Sequence, residues 1–370
     1  MSRSENVRRW VVKVGSALLT SQSEGLNHLL ITRLAGDIAA VNGKGVEIVL
    51  VSSGSIGEGM QRLGWVERPR EIYKLQAAAA VGQMGLIEAY ESAFSEYDIH
   101  TAQILLTGDD LSHRERYLNA RSTLKTLLEL GVVPIVNEND TVATEEIQFG
   151  DNDTLASLVA NLIEAEYMIL LTDQNGLYDR NPSVHADAKL IPQVSAGDRE
   201  LERIAGSGGL MGRGGMLTKV RAAEKAARSG TRTVIASGKQ SEVLQDLLCG
   251  KKPGTHFSIS RERLAARKQW LAGSLKVSGK VFLDDGAIRV LKQAGRSLLP
   301  VGVTRVSGKF DRGALVALCN QNGVEIARGL INYSAVDAAN IIGLPSNRIE
   351  AALGFVDESE MIHRDNMVIF

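Results

Sequence analysis

Short runs of β-branched and other apolar residues recur between residues 10 and 236, and most stop at a cluster of small or polar residues. Residues 10–14 read Trp-Val-Val-Lys-Val before Gly15-Ser16, and residues 46–51 read Val-Glu-Ile-Val-Leu-Val before Ser52-Ser53-Gly54-Ser55. Between them Leu30, Leu34, Ile38 and Val41 fall at helical spacing, and Gly43 and Gly45 close the segment. Parallel strands need a crossover between them and are buried on both faces, so strand, helix, strand and small-residue turn open an α/β fold with a mostly parallel sheet. The same rhythm predicts helices over 71–94, 114–130, 154–165 and 214–229, and strands over 99–106, 131–136, 167–171 and 231–236. One α/β unit is expected at 8–258.

In open α/β sheets ligands bind beyond the carboxyl ends of the strands. Gly15-Ser16, Ser52-Ser53-Gly54, Asn137-Glu138-Asn139-Asp140, Thr172-Asp173 and Ser237-Gly238 are therefore expected to share one rim. Lys13 interrupts the first buried-looking strand, where an unpaired ammonium is costly; it either snorkels at an edge or serves an anionic ligand. A glycine-rich run from Gly206 to Lys219 leads into a helix, and its glycines let backbone N–H groups approach phosphate closely. It has neither the Walker A order nor the protein-kinase glycine loop. Asp140, Asn152, Asp153 and Asp173 put carboxylates and an amide at strand ends and helix starts. Asn152 or Asp153 could also cap the apolar helix that follows. A protein-only metal cage is not expected, because magnesium is held in part by substrate phosphates.

The chain has 370 residues, 44% of them hydrophobic and 23% charged, with a formal net charge of -1. That suits two or three domains with a sizeable core, and gives no global electrostatic case for nucleic acid or an anionic membrane. Two cysteines, Cys249 and Cys319, exclude a disulfide-stapled scaffold or a four-cysteine zinc site and read as separate thiols in a reducing compartment. The first apolar run stops at Lys13, too short for a signal-peptide core or a membrane span, and no later segment is a candidate, so the cytoplasm is expected. The six histidines show no metal spacing, and Ser53-Gly54-Ser55 is not a nucleophile elbow. Near residue 260 the texture changes. Residues 259–274 read as a linker with a basic helical stretch at 261–270. Runs at 275–281, 297–303 and 314–318, punctuated by glycine, then predict a small, mainly β domain over 275–356 with one or two short helices.

Seven motifs carry a family resemblance: Val-Val-Lys13-Val-Gly15-Ser16, Val51-Ser-Ser53-Gly54-Ser-Ile56, Ala79-Ala-Val-Gly-Gln83, Val136-Asn-Glu-Asn-Asp140, Phe149-Gly-Asp-Asn-Asp153, Leu171-Thr-Asp-Gln-Asn-Gly-Leu-Tyr178 and Gly214-Gly-Met-Leu-Thr-Lys219. In order and spacing they resemble the amino acid kinase family, in its glutamate-phosphorylating branch, and the tail is similar to a PUA domain. The resemblance implies a three-layer αβα sandwich with a central, mostly parallel eight-stranded sheet, plus the small PUA domain. It implies ATP-dependent phosphorylation of the L-glutamate side-chain carboxylate to L-glutamyl 5-phosphate, the first step toward proline, with Mg²⁺ carried mainly by the nucleotide phosphates.

By the same resemblance, Lys13 and Lys219 contact the transferring phosphoryl group and Asp153 orients them. Ser53, Asp140 and Asn152 hold glutamate. Lys13, Thr172, Asp173 and the run Arg213, Gly214, Gly215, Met216, Leu217, Thr218 and Lys219 serve the nucleotide, and Glu146 matches a position tied to feedback inhibition by proline. Ser55 stands where alanine is frequent and Ala17 where serine is frequent; both are small. A homodimer or homotetramer formed through the kinase domain and a functional link to glutamyl phosphate reductase are implied as well. No membrane partner is expected, nor is RNA, since the tail lacks clear base-stacking aromatics.

The chemistry suits those residues. A side-chain carboxylate with a reference pKa of about 4.3 is ionised at neutral pH and needs no general base. The obstacle is repulsion between two anions, which ammonium groups, magnesium and backbone N–H groups relieve. Two other readings stay open: a kinase for a related acceptor such as N-acetylglutamate, aspartate, carbamate or uridylate, and an RNA-binding or regulatory protein acting through the tail.

Overall fold

A computed structural model of the chain describes residues 7–21, 25–143, 151–206, 215–259 and 277–370. The described chain divides into two compact units, the first carrying strands β1 to β10 and the second β11 to β15. The first unit's main strands are β1 (Arg8–Val14), β4 (Val46–Ser52), β5 (Thr101–Leu106), β6 (Val133–Glu138), β7 (Tyr167–Thr172), β8 (Gln193–Ser195), β9 (Arg232–Ser237) and β10 (Thr255–Ser258), while β2 (Thr20–Ser21) and β3 (Gly25–Leu26) form a separate two-stranded ribbon. The main sheet has eight strands in the order β5-β6-β4-β1-β7-β9-β10-β8. Every neighbouring pair is parallel except β9 and β10. The parallel pairing puts the carboxyl ends of β1, β4, β6, β7 and β9 on one rim, as the sequence leads one to expect.

Alternation along β1 sorts its side chains between two helical layers. Trp10, Val12 and Val14 are buried with Leu30, Ile31, Leu34 and Ile38 of the His28–Asn42 helix and with Leu86, Tyr90 and Phe94 of the Ile72–Ser95 helix. On the other side the Asn152–Leu162 and Met216–Arg228 helices pack on each other and on the central strands. This is the three-layer sandwich the resemblance implies. β8 and β10 are too short and too polar to read from sequence: Gln193–Ser195 and Thr255–Ser258 make strands only because β9 and β10 give them an edge to pair with.

Two glycines shape the region around the rim. Gly54 leaves β4 with φ 107 and starts the Ser55–Arg62 helix, a turn that favours glycine. At Gly82 a Cβ would stand 1.9 Å from the Ser55 carbonyl oxygen and 2.3 Å from the Gly59 nitrogen. The Ser55–Arg62 and Ile72–Ser95 helices therefore meet backbone to backbone, which brings the residue after Gly82, Gln83, up to the rim.

The second unit is a five-stranded sheet of order β12-β11-β13-β14-β15, built from β11 (Gly279–Leu283), β12 (Val303–Gly308), β13 (Leu315–Cys319), β14 (Glu325–Leu330) and β15 (Met367–Ile369). β11 and β13 run parallel and the other pairs antiparallel. Its core gathers Val281, Leu283, Leu291, Val316, Leu318, Ile331 and Tyr333. It is more helical than the glycine-punctuated pattern suggests, with α-helices at Asp285–Ala294, Ala335–Ile341 and Ile349–Leu353. The run at 297–303 is mostly not strand, because Pro300 starts a 3-10 turn over Pro300–Gly302 and β12 begins only at Val303.

Candidate active site

Lys13 is the next-to-last residue of β1 and points to the side opposite Val12 and Val14, beneath the start of the Asn152–Leu162 helix. There its Nζ lies 2.7 Å from Asp153 Oδ1. Lys219, in the first turns of the Met216–Arg228 helix, brings its Nζ 3.0 Å from the other oxygen, Asp153 Oδ2. The Thr218 hydroxyl lies 2.8 Å from the same Oδ2 and 2.7 Å from the Gly215 carbonyl, two acceptors for its single hydrogen. Asp153 is 0% exposed, Lys13 4% and Lys219 5%. The choice left open for Lys13 is thus settled against a snorkelling edge residue.

The Lys13–Asp153–Lys219 triad sets two positive charges against one negative charge, an excess suited to an anion, and the Asp151 carboxyl lies near enough to act on Lys13 and Asp153 as well. Burial lowers the pKa of Lys13, and the Asp153 charge offsets part of that while the Lys219 charge adds to it. Burial alone would raise the pKa of Asp153, but Lys13 and Lys219 outweigh it and hold the carboxyl below its ordinary range. Asp153 therefore stays ionised and keeps both ammonium groups in place.

The helix cap differs from expectation. Asp151, not Asn152 or Asp153, caps the Asn152–Leu162 helix, accepting from the Thr154 N–H at 2.7 Å. That frees the first-turn side chains of Asn152 and Asp153 to reach sideways. Burial pushes the Asp151 carboxyl pKa up, against the Thr154 hydrogen bond.

Asn152 faces away from the lysines. Its Nδ2 lies 2.9 Å from each of the Ser52 carbonyl, the Ser53 hydroxyl and Asn137 Oδ1, three acceptors that share its two hydrogens. Asn137 Oδ1 also accepts from the Glu138 N–H at 2.9 Å. Asn137 Nδ2 in turn donates to Gln83 Oε1 at 2.9 Å and lies 3.4 Å from the Ser55 hydroxyl. Ser55 donates to Asp140 Oδ2 at 3.3 Å. Burial raises the pKa of Asp140, with the Ser55 hydrogen bond and the nearby Arg68 charge acting the other way. Ser53, Asp140 and Asn152 are thus linked in one polar chain that begins one residue from the lysine–aspartate cluster.

Thr172 ends β7 and its hydroxyl donates to Asp173 Oδ1 at 3.0 Å. The Thr172 carbonyl accepts from the Gly238 N–H at 2.8 Å, joining the β7 and β9 rim segments. Gly215 precedes the Met216–Arg228 helix and supplies no side-chain cap, so the first N–H groups of that helix, at Met216, Leu217 and Thr218, lack a capping side chain. Arg213, Gly214 and Glu146 lie outside the described residues. Among the described residues, sequence reasoning assigned no role to Asp151, Asn137, Ser55 or Gln83. A buried asparagine closing an otherwise apolar strand, and a Gly-Gln pair inside an alanine-rich helix, are the signals that could have marked Asn137 and Gln83.

A parallel α/β sheet whose carboxyl rim gathers two buried lysines on one aspartate, beside a helix start and a chain of amides, defines a phosphoryl-transfer protein. A model of the amino acid kinase family matches residues 8–237, and a PUA domain model matches residues 279–353. Glutamate 5-kinase of Nitrosococcus oceani is 59% identical over 363 residues, covering 98% of this chain and 97% of that one. The glutamate 5-kinase of Halorhodospira halophila is 57% identical over 374 residues, covering 100% of both chains, and that of Pseudomonas aeruginosa PAO1 is 55% identical over 363 residues, covering 98% of both. The chain belongs to the amino acid kinase family and, within it, to the glutamate 5-kinases. Its fold is also that of a solved carbamate kinase from Giardia lamblia bound to AMP-PNP, with a TM-score of 0.52 and 18% identity over 68% of this chain and 99% of that one.

Proposed function

We propose that this chain transfers the γ-phosphoryl group of ATP to the side-chain carboxylate of L-glutamate, giving L-glutamyl 5-phosphate and ADP. The observation that carries this reading is the pair of ammonium groups, 2.7 and 3.0 Å from the two oxygens of Asp153, in a buried triad of two positive charges and one negative charge. The attacking carboxylate and the γ-phosphoryl group are both anions. Lys13 and Lys219 sit where each can contact the transferring group and neutralise charge as it shifts toward the leaving oxygen. Because Asp153 already fixes their geometry, little reorganisation is left for the reaction itself.

The remaining residues divide between the two substrates. Thr172 and Asp173, with Gly215 to Thr218 at the start of the Met216–Arg228 helix, form the nucleotide side, where helix N–H groups favour phosphate; Arg213 and Gly214 extend that segment. Ser53, Asn152 and Asp140 form the amino acid side, with Asp140 and the Asn152 carbonyl oxygen accepting from the α-ammonium group. That set favours a free amino acid over an N-acetylated one. Magnesium, which screens the phosphates when bound, suits a position on the nucleotide rather than in a protein cage, because both oxygens of Asp153 are already taken by cations. An acyl phosphate is a reactive anhydride, so hand-over to glutamyl phosphate reductase, feedback by proline through Glu146 and assembly through the kinase unit belong to the same reading.

The test is a hydroxylamine trap with ATP and Mg²⁺. Hydroxamate formed with glutamate and not with N-acetylglutamate or aspartate is the expected result; signal with N-acetylglutamate alone overturns the assignment.

A further inference from the structure

The amide chain at the rim has a direction that the protein itself fixes. Asn152 Nδ2 donates to a backbone carbonyl, that of Ser52, so its amide cannot be reversed without losing that bond. Asn137 Oδ1 accepts from a backbone N–H, that of Glu138, and from Asn152 Nδ2, so its amide is fixed too, and its Nδ2 must face Gln83. Gln83 then has to present Oε1 to Asn137, as it does at 2.9 Å, and its Nε2 is fixed as the donor end of the chain. Gln83 is only 8% exposed, and among the described residues its buried Nε2 meets no acceptor. An unpaired buried donor is costly, and this one persists beside the Ser55–Asp140 end of the polar chain.

We propose that Gln83 is a substrate-binding residue whose Nε2 donates to the α-carboxylate of the acceptor amino acid. The inference rests on the reaction proposed above and names a contact that it lacks. Lys13 and Lys219 occupy the other end of the polar chain, where the side-chain carboxylate reacts. The head group of the amino acid accordingly lies at the Ser55, Asp140 and Gln83 end. Asp140 is an acceptor and matches the α-ammonium; Gln83 Nε2 is a donor and matches the α-carboxylate. The close helix contact at Gly82 is what sets this donor at the rim.

Two substrate analogues isolate the contact. 4-Aminobutanoate is glutamate without its α-carboxylate, and glutarate is glutamate without its α-ammonium. Gln83→Ala is expected to raise KM for glutamate and for glutarate about 10- to 100-fold, the range for a lost hydrogen bond to a charged group, while leaving KM for 4-aminobutanoate and for ATP within about twofold. Gln83→Glu keeps the oxygen that faces Asn137 and replaces the donor by a second oxygen. It is expected to weaken glutamate more than Gln83→Ala does and not to weaken 4-aminobutanoate, whose ammonium a second carboxylate attracts, and it guards against a packing defect in the smaller variant.

Equal changes for glutamate and 4-aminobutanoate in both variants, or an unchanged glutamate KM in Gln83→Ala, overturn the inference. Wild-type protein measured alongside separates the two claims. No hydroxamate from glutamate with the wild type sinks the assigned reaction and this contact with it, whereas wild-type turnover with an unchanged KM in Gln83→Ala sinks only the contact.

Discussion

Lys13 and Lys219 hold opposite oxygens of one buried carboxylate, at 2.7 Å from Asp153 Oδ1 and 3.0 Å from Asp153 Oδ2. One lysine comes from the first strand and the other from a late helix, so the contact closes the active rim as well as arming it. Asp153→Asn keeps the shape and removes the charge, leaving two buried ammonium groups to repel one another. Removing one partner from a buried charge cluster typically costs about 3–5 kcal/mol. A lower melting temperature together with a fall in kcat of about 100-fold or more is expected, and a variant with wild-type kcat would show that Asp153 does not orient the lysines.

Asn152 and Asp140 act on the amino acid rather than on the phosphoryl group. Asn152→Ala and Asp140→Ala are expected to raise KM for glutamate by roughly 10- to 100-fold, with smaller changes in KM for ATP, as befits hydrogen bonds to a charged group. Steady-state kinetics with each substrate varied in turn provide the check; equal effects on both KM values would place these residues elsewhere.

The pH profile has two limbs with known signs. Burial sets the Lys13 pKa below its ordinary 10.5, so kcat should fall on the alkaline side at a pH below 10.5 as the ammonium is lost. Between the lowered value and 10.5 the unfolded chain binds more protons at this group than the folded one, so Lys13 itself adds stability with rising pH while activity drops. Burial sets the Asp140 pKa above its ordinary 3.8, so KM for glutamate should rise with falling pH already above 3.8, and Asp140→Asn should reduce that limb to the part set by glutamate's own side-chain carboxylate, with its reference pKa of about 4.3. A KM limb that is unchanged in Asp140→Asn belongs to another group.

Gly82 tests the link between packing and the site. Adding a methyl group there meets the Ser55 carbonyl at 1.9 Å, and both helices must shift. Gly82→Ala should lose about 1–3 kcal/mol of stability, typical of overpacking, and raise KM for glutamate, because Ser55 and Gln83 move with the helices. Denaturant unfolding and glutamate kinetics on the same preparation check both parts.

The sheet and its rim were legible because parallel strands announce themselves as apolar runs with polar ends, and five such ends fall on strands that pair in parallel. The pairing of Lys13 and Lys219 through Asp153 was reachable only through family resemblance, since nothing local links β1 to a helix that starts at Met216. The Asp151 cap was missed because three polar residues precede the same apolar helix and only the backbone conformation separates them: Asp151 is extended, with φ -163 and ψ 149. The Asn137–Gln83 link was invisible for a different reason, since it depends on two helices touching at Gly59 and Gly82.

The kinetics of Lys219→Ala test the central claim most directly. If the two ammonium groups carry the charge of the transferring phosphoryl group, this variant stays folded, keeps KM for glutamate near the wild-type value and loses about 100- to 1,000-fold in kcat, the loss of about 3–4 kcal/mol expected for one strong transition-state contact. A folded Lys219→Ala with an unchanged kcat would contradict the account.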